Sequence, residues 1–192
     1  MAEEGDVDGA VKAYRLAIAS GHADAAPMAA RNLGSLLAEE GDFDGAAEAF
    51  RQAIVSGHAD VAPKAVLDLG VLLDAQGDFD GATKAYQRAI ASGHADVAPL
   101  AARNLGSLLA EEGGFDGAAE AFRQAIASGH ADQAPTAAIN LGMLLAEEGD
   151  FEGATEAFRQ AIASGHAEEA SVAAALLKAM AEAKPRQTNL DP

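Results

Sequence analysis

The sequence has no cysteine and no tryptophan, and only 5% of its residues are aromatic. The missing cysteine excludes disulfides, thiolate metal sites and a thiol nucleophile, and it suits a reducing compartment. With so few large side chains a single thick core is hard to fill. Yet 49% of the residues are hydrophobic, much of that alanine, and small side chains suit helices that approach closely. No apolar run reaches the roughly 18–20 residues that a membrane helix needs. The opening MAEEGDVDGA lacks the basic-then-apolar order of a signal peptide, so a cytoplasmic location is expected. Positive charge is also scarce: 13 basic residues face 30 acidic ones, a net charge of −17. That opposes binding to nucleic acid, which needs cations to displace phosphate counterions, and to an anionic membrane surface. It favours solubility and basic partners.

The 192 residues suffice for one ordinary domain or one short solenoid, and internal repetition decides between them. His22, His58, His94, His130 and His166 recur every 36 residues, as do Gly5, Gly41, Gly77, Gly113 and Gly149. Pro27, Pro63, Pro99 and Pro135 keep the same step until Ser171 takes the next place. Residues 31–60 and 103–132 differ only at Asp42/Gly114 and Val55/Ala127, as a recent duplication or a deliberate design would leave them.

Each unit reads as two helices. Ala30, Leu33, Leu37 and Ala38 share one helical stripe, and Gly41 supplies a left-handed stop. Asp42 is placed to cap the next helix. There Phe43, Ala46, Ala47, Phe50, Ala53 and Ile54 form a second stripe, ended by Gly57. First helices are expected at about 25–40, 61–76, 97–112, 133–148 and 168–183, and second helices at about 6–19, 43–56, 79–92, 115–128 and 151–164. The expected class is therefore all-α, about ten helices with short links.

The residues Asn32-Leu33-Gly34, Gly41-Asp42-Phe43, Ala46, Phe50 and Ala53 resemble the signature of the tetratricopeptide repeat family. The set returns as Leu69-Gly70 with Phe79, Ala82, Tyr86 and Ala89, and again around Leu105-Gly106 and Leu141-Gly142. The 36-residue unit exceeds the family norm of 34, and its SGHAD ending is similar to the Sel-like variant. Ala30, Val66, Ala102 and Ala138 stand where the family prefers a large aromatic. The resemblance implies a right-handed superhelical solenoid of antiparallel helix pairs over 1–184. Its parts would be a half unit 1–26, full units 27–62, 63–98, 99–134 and 135–170, and a capping helix 171–184, with a disordered tail at 185–192. At the start, AEEGDVDGA reads as an inter-helix turn and the start of a second helix without its partner, as if cut from a longer array. That uncapped end offers a surface to a second copy, hence a homodimer. At the other end Lys178 replaces the expected glycine, as on a terminal helix with a polar outer face.

The framework recurs, but one face of the first helices varies from unit to unit. Met28, Lys64, Leu100 and Thr136 form one series, Arg31, Leu67, Arg103 and Ile139 a second, and Ser35, Val71, Ser107 and Met143 a third. Beside them lie Asn32, Asp68, Asn104 and Asn140. The resemblance implies that this face lines a concave groove that binds a peptide or helix of a protein partner, with asparagine holding the ligand's backbone. Met28, Leu67, Val71, Leu100, Ile139 and Met143 would supply apolar spots, and Arg31, Lys64 and Arg103 cations. The family's carboxylate-clamp set is incomplete here, so that ligand is not assigned. The competing reading is a structural or self-associating array without a specific ligand.

No catalytic constellation emerges: there is no phosphate loop, no GxGxxG after a strand and no HExxH. Neither an enzyme nor a cofactor is expected. The histidines invite a metal ladder, but stacked helices lie roughly 8–10 Å apart and zinc holds nitrogen at about 2 Å. One histidine and one acid per unit are too few ligands, so the joint reading prevails. In it the histidine follows a helix C-terminus, where the dipole tolerates a cation. Asp24, Asp60, Asp96, Asp132 and Glu168 serve as N-caps or first-turn acids. The acids of AEEGDFDG read as a solvated turn complementing helix ends, or else as a docking stripe for a basic partner.

Overall fold

The computed structural model describes residues 3–183, and the tail expected at 185–192 lies outside them. Ten helices follow one another: α1 (Glu3–Ala19), α2 (Ala25–Glu39), α3 (Phe43–Val55), α4 (Val61–Ala75), α5 (Phe79–Ala91), α6 (Val97–Glu111), α7 (Phe115–Ala127), α8 (Gln133–Glu147), α9 (Phe151–Ala163) and α10 (Ala167–Ala183). By internal packing the chain divides into two compact units, one up to Ala101 and one from Ala102. In the first, α2 packs on α3, α4 on α5, and α2 on α4; in the second, α7 and α9 pack on α8, and α8 and α9 on α10.

Three residues separate α2 from α3, a link that forces an antiparallel pair. The stop is a Schellman motif. Gly41 takes φ +81°, its N–H donates to the Ala38 carbonyl at 3.1 Å, and the Asp42 N–H donates to the Leu37 carbonyl at 2.8 Å. Asp42 Oδ1 then accepts from the Gly45 N–H at 3.0 Å and so caps α3. Asp78 and Asp150 do the same for α5 and α9. Gly114, in the Asp42 position, has no side chain to cap α7.

Alanine lets the helices close up, and one aromatic per pair fills what remains. Ala46, Ala53 and Phe50 are buried, and Phe50 packs with Ala47, Leu72, Leu37 and Leu69. Each such ring sits on a glycine of the preceding helix. A Cβ added at Gly34 would lie 2.6 Å from the Phe50 ring, at Gly70 2.8 Å from Tyr86, at Gly106 2.6 Å from Phe122, and at Gly142 2.5 Å from Phe158. Lys178 stands at the corresponding position of α10 and projects into solvent, 3.9 Å from Glu182.

Two expectations are corrected. The opening residues continue α1 back to Glu3 instead of forming a turn at Gly5 and Asp6. The turns elsewhere are tied to carbonyls of the preceding helix, and no helix precedes α1 among the described residues. Phe43, expected in the stripe of α3, is 44% exposed, and Phe79, Phe115 and Phe151 are exposed to a similar degree. Each is the first residue of its helix, at the edge of the packed surface.

Candidate functional site

In the SGHAD joint around His58 every polar side chain has a partner. Ser56 Oγ donates to the Ala53 carbonyl at 2.6 Å and accepts from the His58 N–H at 3.2 Å. Gly57 turns the chain with φ +67°. His58 Nδ1 accepts from the N–H groups of Asp60 and Val61, each at 3.3 Å, and the His58 carbonyl accepts from Ala62 at 2.9 Å. His22 and His130 repeat the pattern. The imidazole, not the aspartate, therefore caps the following helix. Asp24, Asp60 and Asp132 occupy N-cap positions without any side-chain cap bond. This corrects the expected division of labour: the histidine serves the next helix's N-terminus, not the previous helix's C-terminus. Because Nδ1 is an acceptor, the ring proton lies on Nε2. That nitrogen meets the acid one unit earlier, His58 on Asp24 Oδ1 at 3.4 Å and His94 on Asp60 Oδ1 at 3.0 Å. Glu168 lies in the first turn of α10, as expected. No group of three metal-ligating side chains occurs among the described residues.

Asp60 receives both His94 and Lys64, whose Nζ is 2.9 Å from each carboxylate oxygen. The His94 hydrogen bond, then the Lys64 one, lower its pKa to about 2. A depressed carboxylate favours the folded state above the ordinary aspartate value of about 4, and that contribution vanishes as pH falls through 2. A carbon-detected NMR titration should place the Asp60 carboxyl midpoint at about 2. His94→Ala should raise it toward about 4, and by more than Lys64→Ala does. A wild-type midpoint at the ordinary aspartate value would contradict the ladder.

The varied face is carried by α2 (Met28, Arg31, Asn32, Ser35), α4 (Lys64, Leu67, Asp68, Val71), α6 (Leu100, Arg103, Asn104, Ser107) and α8 (Thr136, Ile139, Asn140, Met143). Met28, Asn32, Val71 and Met143 are exposed; Leu67 and Ile139, each 8% exposed, are buried. The remaining ten are half-buried. Leu67 and Ile139 thus belong to the core and offer no apolar spot to a ligand, because neighbouring helices cover the positions where α2 and α6 carry arginines. The three cations are engaged within the chain. Arg31 Nε reaches Asp68 Oδ2 at 2.5 Å, and Lys64 is held by Asp60. Arg103 donates to Gln133 Oε1 at 2.9 Å and Asn104 Oδ1 at 3.1 Å.

Two recesses open on this face. One, of about 400 Å³, is lined by Ser35, Ala38, Glu39, Phe43, Phe50, Asp68, Val71, Leu72 and Ala75. The other, of about 240 Å³, is lined by Ser107, Ala110, Glu111, Phe122, Asn140, Met143, Leu144 and Glu147. They are the same place two repeats apart. Where both are lined by corresponding residues, these differ at Asp68/Asn140, Val71/Met143 and Ala75/Glu147. A second pair of recesses lies against the second helices. Its ten lining residues, from Arg15 to Gln52 and from Arg123 to Gln160, match without exception. The units between them differ on that side too: Lys84 and Arg88 stand in the places of Glu48 and Gln52, and Gly114 in that of Asp42. Glu39, Glu111 and Glu147 were missed as site residues. The signal was present: they lie four residues beyond Ser35, Ser107 and Met143, one turn further along the same stripe.

A family model described as tetratricopeptide repeat matches residues 2–65, 67–138 and 103–169. No curated protein matches the sequence. Among solved structures, BtubC (BKLC) from P. vanneervenii is similar with a TM-score of 0.76 and 20% identity, over 95% of this chain and 84% of that one. MamA is similar with a TM-score of 0.67 and 24% identity, over 88% of this chain and 93% of that one. At such identities the likeness is one of fold: an all-α solenoid of helix pairs.

Proposed function

The chain belongs to the tetratricopeptide repeat family, and from that premise we propose that it is a non-enzymatic interaction module that binds a peptide or helix of a protein partner on its first-helix face. The observation that carries this reading is the first-helix recess, whose lining changes between repeats at Asp68/Asn140, Val71/Met143 and Ala75/Glu147. The first-helix recesses combine an apolar floor with a few polar groups, as binding sites do. Val71 and Met143 reach solvent at 47% and 41% exposure, so they contribute contact area without contributing to the core.

Filling both recesses should weaken binding and leave the fold intact. Val71→Trp with Met143→Trp is expected to weaken a peptide selected on the wild type by about tenfold or more, since buried hot spots carry most of an interface's energy. Melting should stay within about 0.5 kcal/mol of wild type, as for exposed substitutions. Fluorescence anisotropy and thermal denaturation check the two halves. The self-associating alternative is favoured by α1, where Leu16 is 73% exposed. Light scattering on the same samples separates them: concentration-dependent assembly with no peptide bound would replace the interaction reading.

A further inference from the structure

Each first-helix recess is lined by two carboxylates and no basic residue, but only in the first is one of them paired within the chain, and that difference specifies a ligand for the second; this step rests on the interaction reading above. In the first recess Asp68 is occupied by Arg31. In the second the neutral Asn140 takes that place, and no basic residue lines the cavity. Two carboxylates do. Glu111 is the last residue of α6 and Glu147 the last of α8. Both are exposed, and neither is in an ion pair among the described residues. Neither helix has a basic residue in its last turn. The negative ends of two helix dipoles therefore lie beside two acids, an arrangement that disfavours a helix end and favours a cation. Beneath them the floor is apolar: Phe122, Met143 and Leu144.

We infer that this recess binds a lysine or arginine side chain of the protein partner. Its aliphatic stem lies on Met143 and Leu144, and its charged head meets Glu111 and Glu147. Long basic side chains divide in this way between apolar surface and a polar rim. The volume of about 240 Å³ falls below that of a drug-sized pocket and suits a single long side chain. An acidic or neutral residue fits worse. The acid meets two carboxylates on a chain of net charge −17, and the neutral one leaves them unanswered.

A random 12-residue peptide display library, selected on the full chain, tests this. Binders are sorted by whether Met143→Trp abolishes them, an exposed position where the larger ring fills the recess without entering the core. Met143-dependent binders should be enriched in Lys or Arg next to large apolar residues. Their affinity should fall about tenfold in E111Q/E147Q at physiological salt, as for close charge pairs at an interface. It should fall less than about twofold in E120Q/E156Q, which removes the same charge from α7 and α9 outside the recess. Equal losses in the two double variants would mean attraction to overall charge and would overturn the inference. Met143-dependent binders that are acidic or neutral would overturn it and leave the interaction reading standing. Failure to obtain any Met143-dependent or Val71-dependent binder would sink both.

Discussion

Phe158→Ala is expected to cost roughly 3–5 kcal/mol of unfolding free energy, as large aromatic truncations in packed cores do. Phe158 is 2% exposed and packs with Ala138, Ile139, Ala154, Ala161 and Ala173. Its buried neighbours are mostly alanines, and the longer side chains packed against them, Leu145, Ile162 and Leu176 among them, are only partly buried. How far these side chains move into the cavity sets where in that range the cost falls. In a solenoid each repeat contacts only its neighbours, so the loss should be local. Urea denaturation followed by circular dichroism should show an early transition. Amide exchange should accelerate in α8, α9 and α10 and stay unchanged in α2 to α5. An unaltered denaturation profile would show that this ring does not hold the pair together.

Gly142→Ala should destabilise by about 1–3 kcal/mol, the range for an extra methyl in a full core, although alanine is the better helix former. The added Cβ would stand 2.5, 2.7 and 2.9 Å from three atoms of the Phe158 ring, and a ring buried on all sides cannot retreat. The origin of the penalty can be isolated. With Phe158→Ala already in place the obstacle is gone, and Gly142→Ala should become stabilising by up to about 1 kcal/mol, the intrinsic helix preference of alanine over glycine. A double-mutant cycle measures this change of sign. Additive effects would mean that the glycine and the ring are not in contact. The same geometry explains Lys178. A side chain at that position of α10 denies an aromatic ring the seat that Gly34, Gly70, Gly106 and Gly142 provide.

The helices themselves were legible because their signals are local. Gly41 and Gly57 stop helices wherever they recur, Asp42 caps one, and the stripes around Leu33 and Phe50 have helical spacing. The observed limits of α3 (Phe43–Val55) differ by one residue from those expected. The varied face was legible too, since comparing units needs only a repeat. Less visible was how far neighbouring helices cover that face. Leu67 and Ile139 share a stripe position with Arg31 and Arg103 yet are buried, while the stripe continues past Ser107 to a carboxylate at Glu111. Periodicity assigns residues to a side of a helix, but the packing of the next helix decides which of them meet solvent.

The histidine shows the same division. From sequence alone SGHAD is a joint with too few ligands for a metal, because ligand number and repeat spacing are countable along the chain. Its mechanism depends on where the ring lies. Nδ1 reaches two backbone N–H groups of its own joint, and Nε2 reaches an acid 34 residues earlier, as His94 reaches Asp60. A contact of that separation exists only once units stack. Local chemistry, repeated every 36 residues, determined the helices, their stops and the glycine seats. The stacking of one pair on the next decided which side chains are covered, which cations are paired off and where carboxylates rim a recess.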